Sequence, residues 1–376
     1  MKKKDIMLLK MYKENIFILL YLFFFCWRYF TNYGKTIATV GWCVCGLIIF
    51  LYAFLKYKAY RKILIFILFV DALSILNGYL NRNGTYIQAL HNLAAQAFGV
   101  QLFLVKDRMK LVRNIFLLIY FYIVIKVIFF PHIDFYGDKG VSELVGKNSI
   151  SIVMIVSCVI DLFYRTKNAI KINYMLYIIG LGVSVITQSS GGMLGFSLFL
   201  LGIYICSSNG KKISFWKVFG LLIIFVLGSI YLDYGNKILM FLSDDNSRFA
   251  LWGMYFKLAT QNIESLLLGG GIAQNAILSH YGNIHNNILN WHCYYGLIPT
   301  IVYVSIISME IIVYLKNRAW YKLVISSVLF VRSMTDSTDY IFMSIWIFML
   351  LDILVQYENK KKLRWRLSNE TKEFSK

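Results

Sequence analysis

Two residues stand out for the chemistry their surroundings allow, Arg248 and His285, in a chain of 376 residues that is 59% hydrophobic. Arg248 follows Ser243-Asp244-Asp245-Asn246-Ser247, all types that start helices. A cation in a first helical turn opposes the helix dipole and costs about a few tenths of a kcal/mol. The objection disappears where an anion binds, because free helix N–H groups and a guanidinium fork together suit a diphosphate. The plainer alternative pairs Arg248 with Asp244 or Asp245, or lets it reach lipid headgroups. His285 lies in HYGNIHNNILNW, residues 280–291, the most polar stretch of its kind in the chain. An imidazole there suits a general base acting on a hydroxyl, with Asn286 and Asn287 orienting it or binding sugar hydroxyls. The plainer alternative is that histidine and asparagine cap the next helix.

The elements that must position these groups are apolar. Mean hydropathy is +0.61 and there are two prolines in the whole chain. A soluble domain of this length could not hide so much apolar surface, so the expectation is an all-α polytopic membrane protein. A span needs about 20 residues. Twelve runs qualify: 15–31, 36–55, 63–80, 86–105, 112–130, 148–163, 172–188, 190–206, 214–231, 290–314, 321–335 and 339–356. With every run crossing, 29 of the 39 lysines and arginines fall on one side. That asymmetry predicts both termini in the cytoplasm, in a single integral domain over 1–376 with a basic tail at 357–376. The long connection 232–289 then faces outward. Within it, Phe249, Trp252, Phe256, Ala259 and Ile263 form a helical stripe suited to the membrane surface, closed by Gly269–Gly271.

The net charge of +20 sits in short clusters between apolar runs, which argues against nucleic acid as a partner. The six cysteines form no C-x-x-C pair, so neither a metal site nor a disulfide framework is expected. By the topology above, Arg28, Arg82 and Arg332 map near the outer surface and Lys126 to the outer half of its run. Converging basic groups suit an anionic lipid-linked substrate, although each alone equally well snorkels, and Arg332 has the helical spacing to pair with Asp336. Asp71, Asp161 and Asp352 map deeper or inward and read as structural. His280 reads as ordinary loop, and His292 as a span residue with a local partner. The Gly-rich run from Ser189 reads as close helix packing.

Together these pieces resemble the O-antigen polymerase and O-antigen ligase superfamily. The residues that carry the resemblance are Ser-Arg-Phe-Ala-Leu-Trp at 247–252, Leu-Leu-Leu-Gly-Gly-Gly at 266–271, His285-Asn286 entering a span that runs to Gly296, and TQSSGGML from Thr187. Family members often have Ser-Arg-Gly at the last of these; Ser190 stands where the arginine would be, so no phosphate-binding role is carried onto it. The resemblance implies an inverting, metal-independent transfer, needing no cofactor, at the outer face of a bacterial cytoplasmic membrane. The donor would be an oligosaccharide on undecaprenyl diphosphate and the product a growing capsular polysaccharide or O-antigen. A flippase and a chain-length regulator of the same pathway are implied partners. His285 and Arg248 would be catalytic; Arg28, Arg82, Lys126, Arg332, Asn286 and Trp252 would bind substrate. Asp336 and Asp339 are the rival bases, since some related polymerases use an aspartate. The rival functions are a ligase-type glycan transfer and a lipid-linked oligosaccharide transporter, which would place its binding groups near mid-membrane.

Overall fold

The computed structural model describes residues 16, 19–27, 34–56, 61–80, 86–104, 109–133, 139–141, 146–207, 248–269, 284, 286–335 and 343–357. Its helices are α1 (19–27), α2 (Lys35–Lys56), α3 (Arg61–Leu80), α4 (Tyr86–Leu104), α5 (Lys110–Phe129), α6 (Lys147–Lys167), α7 (Tyr174–Ile186) and α8 (Ser190–Ser207). They continue with α9 (Arg248–Ala259), α10 (Ile263–Leu268), α11 (Asn287–Tyr295), α12 (Leu297–Lys316), α13 (Trp320–Thr335) and α14 (Met343–Tyr357). Two short antiparallel strands, β1 (His132–Ile133) and β2 (Lys139–Gly140), pair between α5 and α6.

Six of these helices, α2, α3, α5, α6, α8 and α12, are long and apolar enough to cross a membrane. Large apolar side chains stand exposed along them, such as Ile37 at 64%, Leu118 at 71% and Phe69 at 58%. Exposed apolar surface on this scale is stable against hydrocarbon, not water. The helix α6 differs: 78% of its apolar window is buried, against 28–39% for the other five. It is an inner helix, buried from Ile150 to Phe163, and its internal Ser157 returns its hydroxyl to Val153 O at 2.8 Å. Close approach of neighbours rests on small residues. A side chain at Gly99 on α4 would collide with the Ser344 carbonyl of α14, and one at Gly46 on α2 with the Ala94 backbone of α4.

Most helices fall where the apolar runs predict them. The run expected at 214–231 lies outside the described residues. Two expectations need correction. The expected span 290–314 is not continuous: α11 stops at Gly296, whose φ of 82° ends the helix, and α12 starts anew. A Cβ there would also press on Leu267 O and Asn77 Nδ2, so only glycine lets α10, α3 and α11 meet at this point. The one helix expected between the capping residues Ser243–Ser247 and the close at Gly269–Gly271 is two, because the Asn262 side chain accepts from Ser265 N at 2.7 Å and caps a new start. Among the described residues the buried set shares only Ala259 with the expected surface stripe. Leu251, Tyr255 and Ala259 are the buried positions, packed on Ile284, Leu289 and Cys293, while Phe256 and Ile263 are exposed at 56% and 74%.

Helix direction sorts the charges. The N-terminal ends of α6 and α8 and the C-terminal end of α13 meet through Asn148, Ser189 and Arg332. The opposite ends of the same helices and their neighbours carry Arg113, Arg165, Lys167, Lys171, Lys316, Arg318 and Lys322. There Asp161, wholly buried, takes Arg113 Nε at 2.5 Å and Arg165 Nε at 2.6 Å, clamping α5 to α6. Lys322 meets Asp352 at 2.5 Å, clamping α13 to α14.

Candidate functional site

Arg332 lies on the last turns of α13 and is buried to 1%, so it does not snorkel. Its Nη2 donates to Ser151 Oγ at 3.2 Å and to Asn148 O at 3.4 Å on the first turn of α6. Ser189 Oγ lies 3.2 Å from Ser151 Oγ and 3.3 Å from Asn148 Oδ1, and it accepts from Gly192 N at 3.2 Å, so it caps α8. The guanidinium occupies the space above Gly191, where any Cβ would overlap Nη1. The Gly-rich run is therefore close packing, as its composition predicts, and at Gly191 it also admits a charged group. Ser184 and Ser151 crowd Gly192 in the same way.

A third helix begins beside this cluster. Asn286 caps α11, its Oδ1 accepting from Ile288 N at 3.0 Å and Leu289 N at 3.2 Å, while its Nδ2 lies 4.0 Å from Met334 Sδ on α13. The N-termini of α6 and α8 thus meet at one buried guanidinium, and that of α11 touches the same helix, α13, at Met334. Helix N-termini carry partial positive charge and unsatisfied N–H groups. The start of α6 at Gly146 has no side chain to cap it. Two such ends and an arginine make a buried electropositive place, and the hydroxyls of Ser151 and Ser189 beside it suit an oxyanion.

The chain around His285 is anchored on both sides, although His285 itself lies outside the described residues. Ile284, wholly buried, gives its carbonyl to Trp252 Nε1 at 2.9 Å and its N–H to Asn290 Oδ1 at 3.2 Å. Asn286 is fixed by its cap. The next residue, Asn287, is 0% exposed, and neither atom of its amide has a hydrogen-bond partner among the described residues. Behind them His292 is a brace: Leu266 O can only accept, so the Nε2 at 2.7 Å donates. In the neutral ring Nδ1 then accepts from Tyr255 OH at 2.7 Å. The local partner expected for His292 is there, doubled.

The other predicted residues fall as follows. Arg248 is the first residue of α9. Arg28, Arg82, His280, Asp336 and Asp339 lie outside the described residues. Trp252 spends its indole N–H on the chain at Ile284 rather than projecting it. Lys126 stands apart near the end of α5, with its ammonium 5.4 Å from the Phe130 ring centre and 6.0 Å from that of Tyr122. Asn286 has the capping role that its residue type alone allowed. Sequence reasoning missed Asn148 and Ser151, because a polar pair at the head of an apolar run reads as a helix start. Ser189 was within reach through TQSSGGML but carried no role of its own. Among the described residues no cluster of His, Cys, Asp and Glu is arranged to hold a metal ion. Comparison of the chain with protein-family models, with curated proteins and with solved structures finds no match in any of the three.

Proposed function

We propose that the protein polymerises lipid-linked oligosaccharide repeat units at the outer face of a cytoplasmic membrane, building a capsular polysaccharide or O-antigen. The observation that carries this reading is the meeting of two helix N-termini, those of α6 and α8, at the buried Arg332. Such a place stabilises the diphosphate that leaves when a glycosyl bond to undecaprenyl diphosphate breaks. In the reaction, an acceptor sugar hydroxyl attacks the anomeric carbon from the face opposite the diphosphate. The new C–O bond forms as the bond to the phosphate oxygen breaks, and the electron pair stays on that oxygen. His285 takes the hydroxyl proton, standing in sequence between the anchored Ile284 and Asn286. Arg332, with Arg248, neutralises the charge that develops on the diphosphate, the term that fixed cations in a water-poor site supply best. The unused amide of Asn287 offers a donor and an acceptor to a sugar hydroxyl. The sidedness rests on the basic residues gathered at the far ends of the helices.

A second reading is transport of a lipid-linked oligosaccharide, favoured by one observation: a buried acidic group, Asp71, lies midway along α3. One assay separates the readings. Purified protein is incubated with a lipid-linked repeat unit and the products are resolved by size. A ladder supports polymerisation, a single transferred product supports a ligase, and absence of any covalent product returns the reading to transport. In the same assay Arg332→Lys should lower turnover roughly 10–100-fold with normal membrane levels, since an ammonium keeps the charge but not the fork. His285→Ala should lower it by about 10²–10⁴.

A further inference from the structure

Asp71, on the middle of α3 and 1% exposed, belongs to a polar network far from any described basic group. Its Oδ1 accepts from Gln96 Nε2 at 3.0 Å and from Tyr303 OH at 3.3 Å. Tyr303 in turn accepts from Asn92 Nδ2 at 3.0 Å. Asn92 and Gln96 stand one turn apart on α4, and both are buried to 1% or less. The network therefore joins α3, α4 and α12. Three of its oxygens, Asp71 Oδ2, Asn92 Oδ1 and Gln96 Oε1, are buried with no donor among the described residues. The ion pairs of described residues use Asp161 and Asp352, not Asp71.

A carboxylate at this depth must be neutralised, because an isolated charge in low dielectric is prohibitively costly. A proton would remove the charge, but the single O–H it creates serves only one of the surplus acceptors. A cation removes the charge and can draw on more than one oxygen acceptor. Hard cations bind oxygen ligands of this kind, carboxylate and amide carbonyl together. With one carboxylate in the group, a monovalent ion balances the site, whereas a divalent ion would leave a buried positive charge. We propose that Asp71, Asn92 and Gln96 form a binding site for an alkali metal cation, with Tyr303 holding the Asn92 amide and the carboxylate in place. The ion ties α12 to α3 and α4, just below the point where α12 begins against α10 and α11. This proposal does not depend on which reaction the protein performs.

The test uses the purified full chain in detergent and reads binding and stability, not activity. Sodium-22 should bind with saturation, at one ion per chain. The melting temperature should rise with NaCl or KCl over choline chloride at equal ionic strength, and level off. Asp71→Asn and Gln96→Leu should each abolish both the binding and the alkali-ion shift, while Lys322→Gln, at the far end of α13, should keep them. If the wild-type chain binds no sodium and melts identically in sodium, potassium and choline, the proposal is wrong whatever the variants do. A melting temperature that follows pH but not alkali ion would also overturn it, and would make the site a protonated carboxyl.

Discussion

At the scale of single residues, two side chains with similar chemistry have opposite assignments. Arg332 and His292 are both buried polar groups, but both ring nitrogens of His292 are engaged, by Tyr255 and Leu266. Its removal breaks a hydrogen bond to the Tyr255 hydroxyl and another to the Leu266 carbonyl, a loss of roughly 1–3 kcal/mol for a buried group left unsatisfied. His292→Ala should therefore lower the thermal midpoint markedly, and restoring stability at low temperature should restore turnover. A variant as stable as wild type would mean that the brace is dispensable. Arg332 differs in what it touches: the Ser151 hydroxyl and the Asn148 carbonyl on the first turn of α6, beside the start of α8. Asn286→Ala should cost about 1 kcal/mol through loss of the α11 cap. Asn286→Asp keeps the capping oxygen and should recover that stability; failure to recover it would point to a role for the Nδ2 facing Met334.

The crossing behind the site is made by short helices that stop. The ends of α10 and α11 lie against each other at two glycines with positive φ, Gly269 at 93° and Gly296 at 82°. A Cβ on Gly269 would strike His292 O, and one on Gly296 would strike Leu267 O or the Asn77 amide, which donates to Tyr295 O at 2.6 Å. Gly296→Ala is expected to cost about 1–3 kcal/mol from backbone strain alone, measured as a lowered thermal midpoint, with larger loss if the crossing opens. At the other end of the molecule, Asp161 serves two helices at once. Asp161→Ala strands Arg113 and Arg165, which are 18% and 14% exposed, and should cost about 3 kcal/mol, the lower end for a broken buried pair because water reaches both guanidinia. A chain that melts unchanged would show that α5 and α6 are held by apolar packing alone.

For the whole molecule, the separation of charge predicts how the chain sits. Residues such as Arg318 and Lys167 collect at the end away from Arg332. In intact cells, Arg318→Cys should react with a membrane-impermeant thiol reagent only after the membrane is opened, whereas Asn275→Cys, in the long connection, should react from outside. The native cysteines, none of them in a disulfide, would first be replaced. Labelling of Arg318→Cys from outside would invert the assignment and place the Arg332 cluster on the cytoplasmic face, away from the proposed substrate.

What the sequence determined by itself was the class of molecule and the place of its long helices. Runs such as 112–130 and 148–163 are set by hydrocarbon thickness and backbone hydrogen bonding, both local constraints that composition records directly. It also marked Arg332, Asn286 and the Gly-rich run as unusual, because polar and small residues are rare in such surroundings. Tertiary structure decided which of these meet. Arg332 and Asn148 are 184 residues apart, and nothing in either segment encodes the other; they are brought together by α13 packing on α8 and α6. The same holds for Asp71 and Tyr303, 232 residues apart. The break at Gly296 was likewise hidden, since a glycine inside an apolar run reads as helix packing until the carbonyls of α10 are seen against it. Local physics makes the helices, and only their packing, set by shape and by the need to satisfy buried polar groups, makes the site.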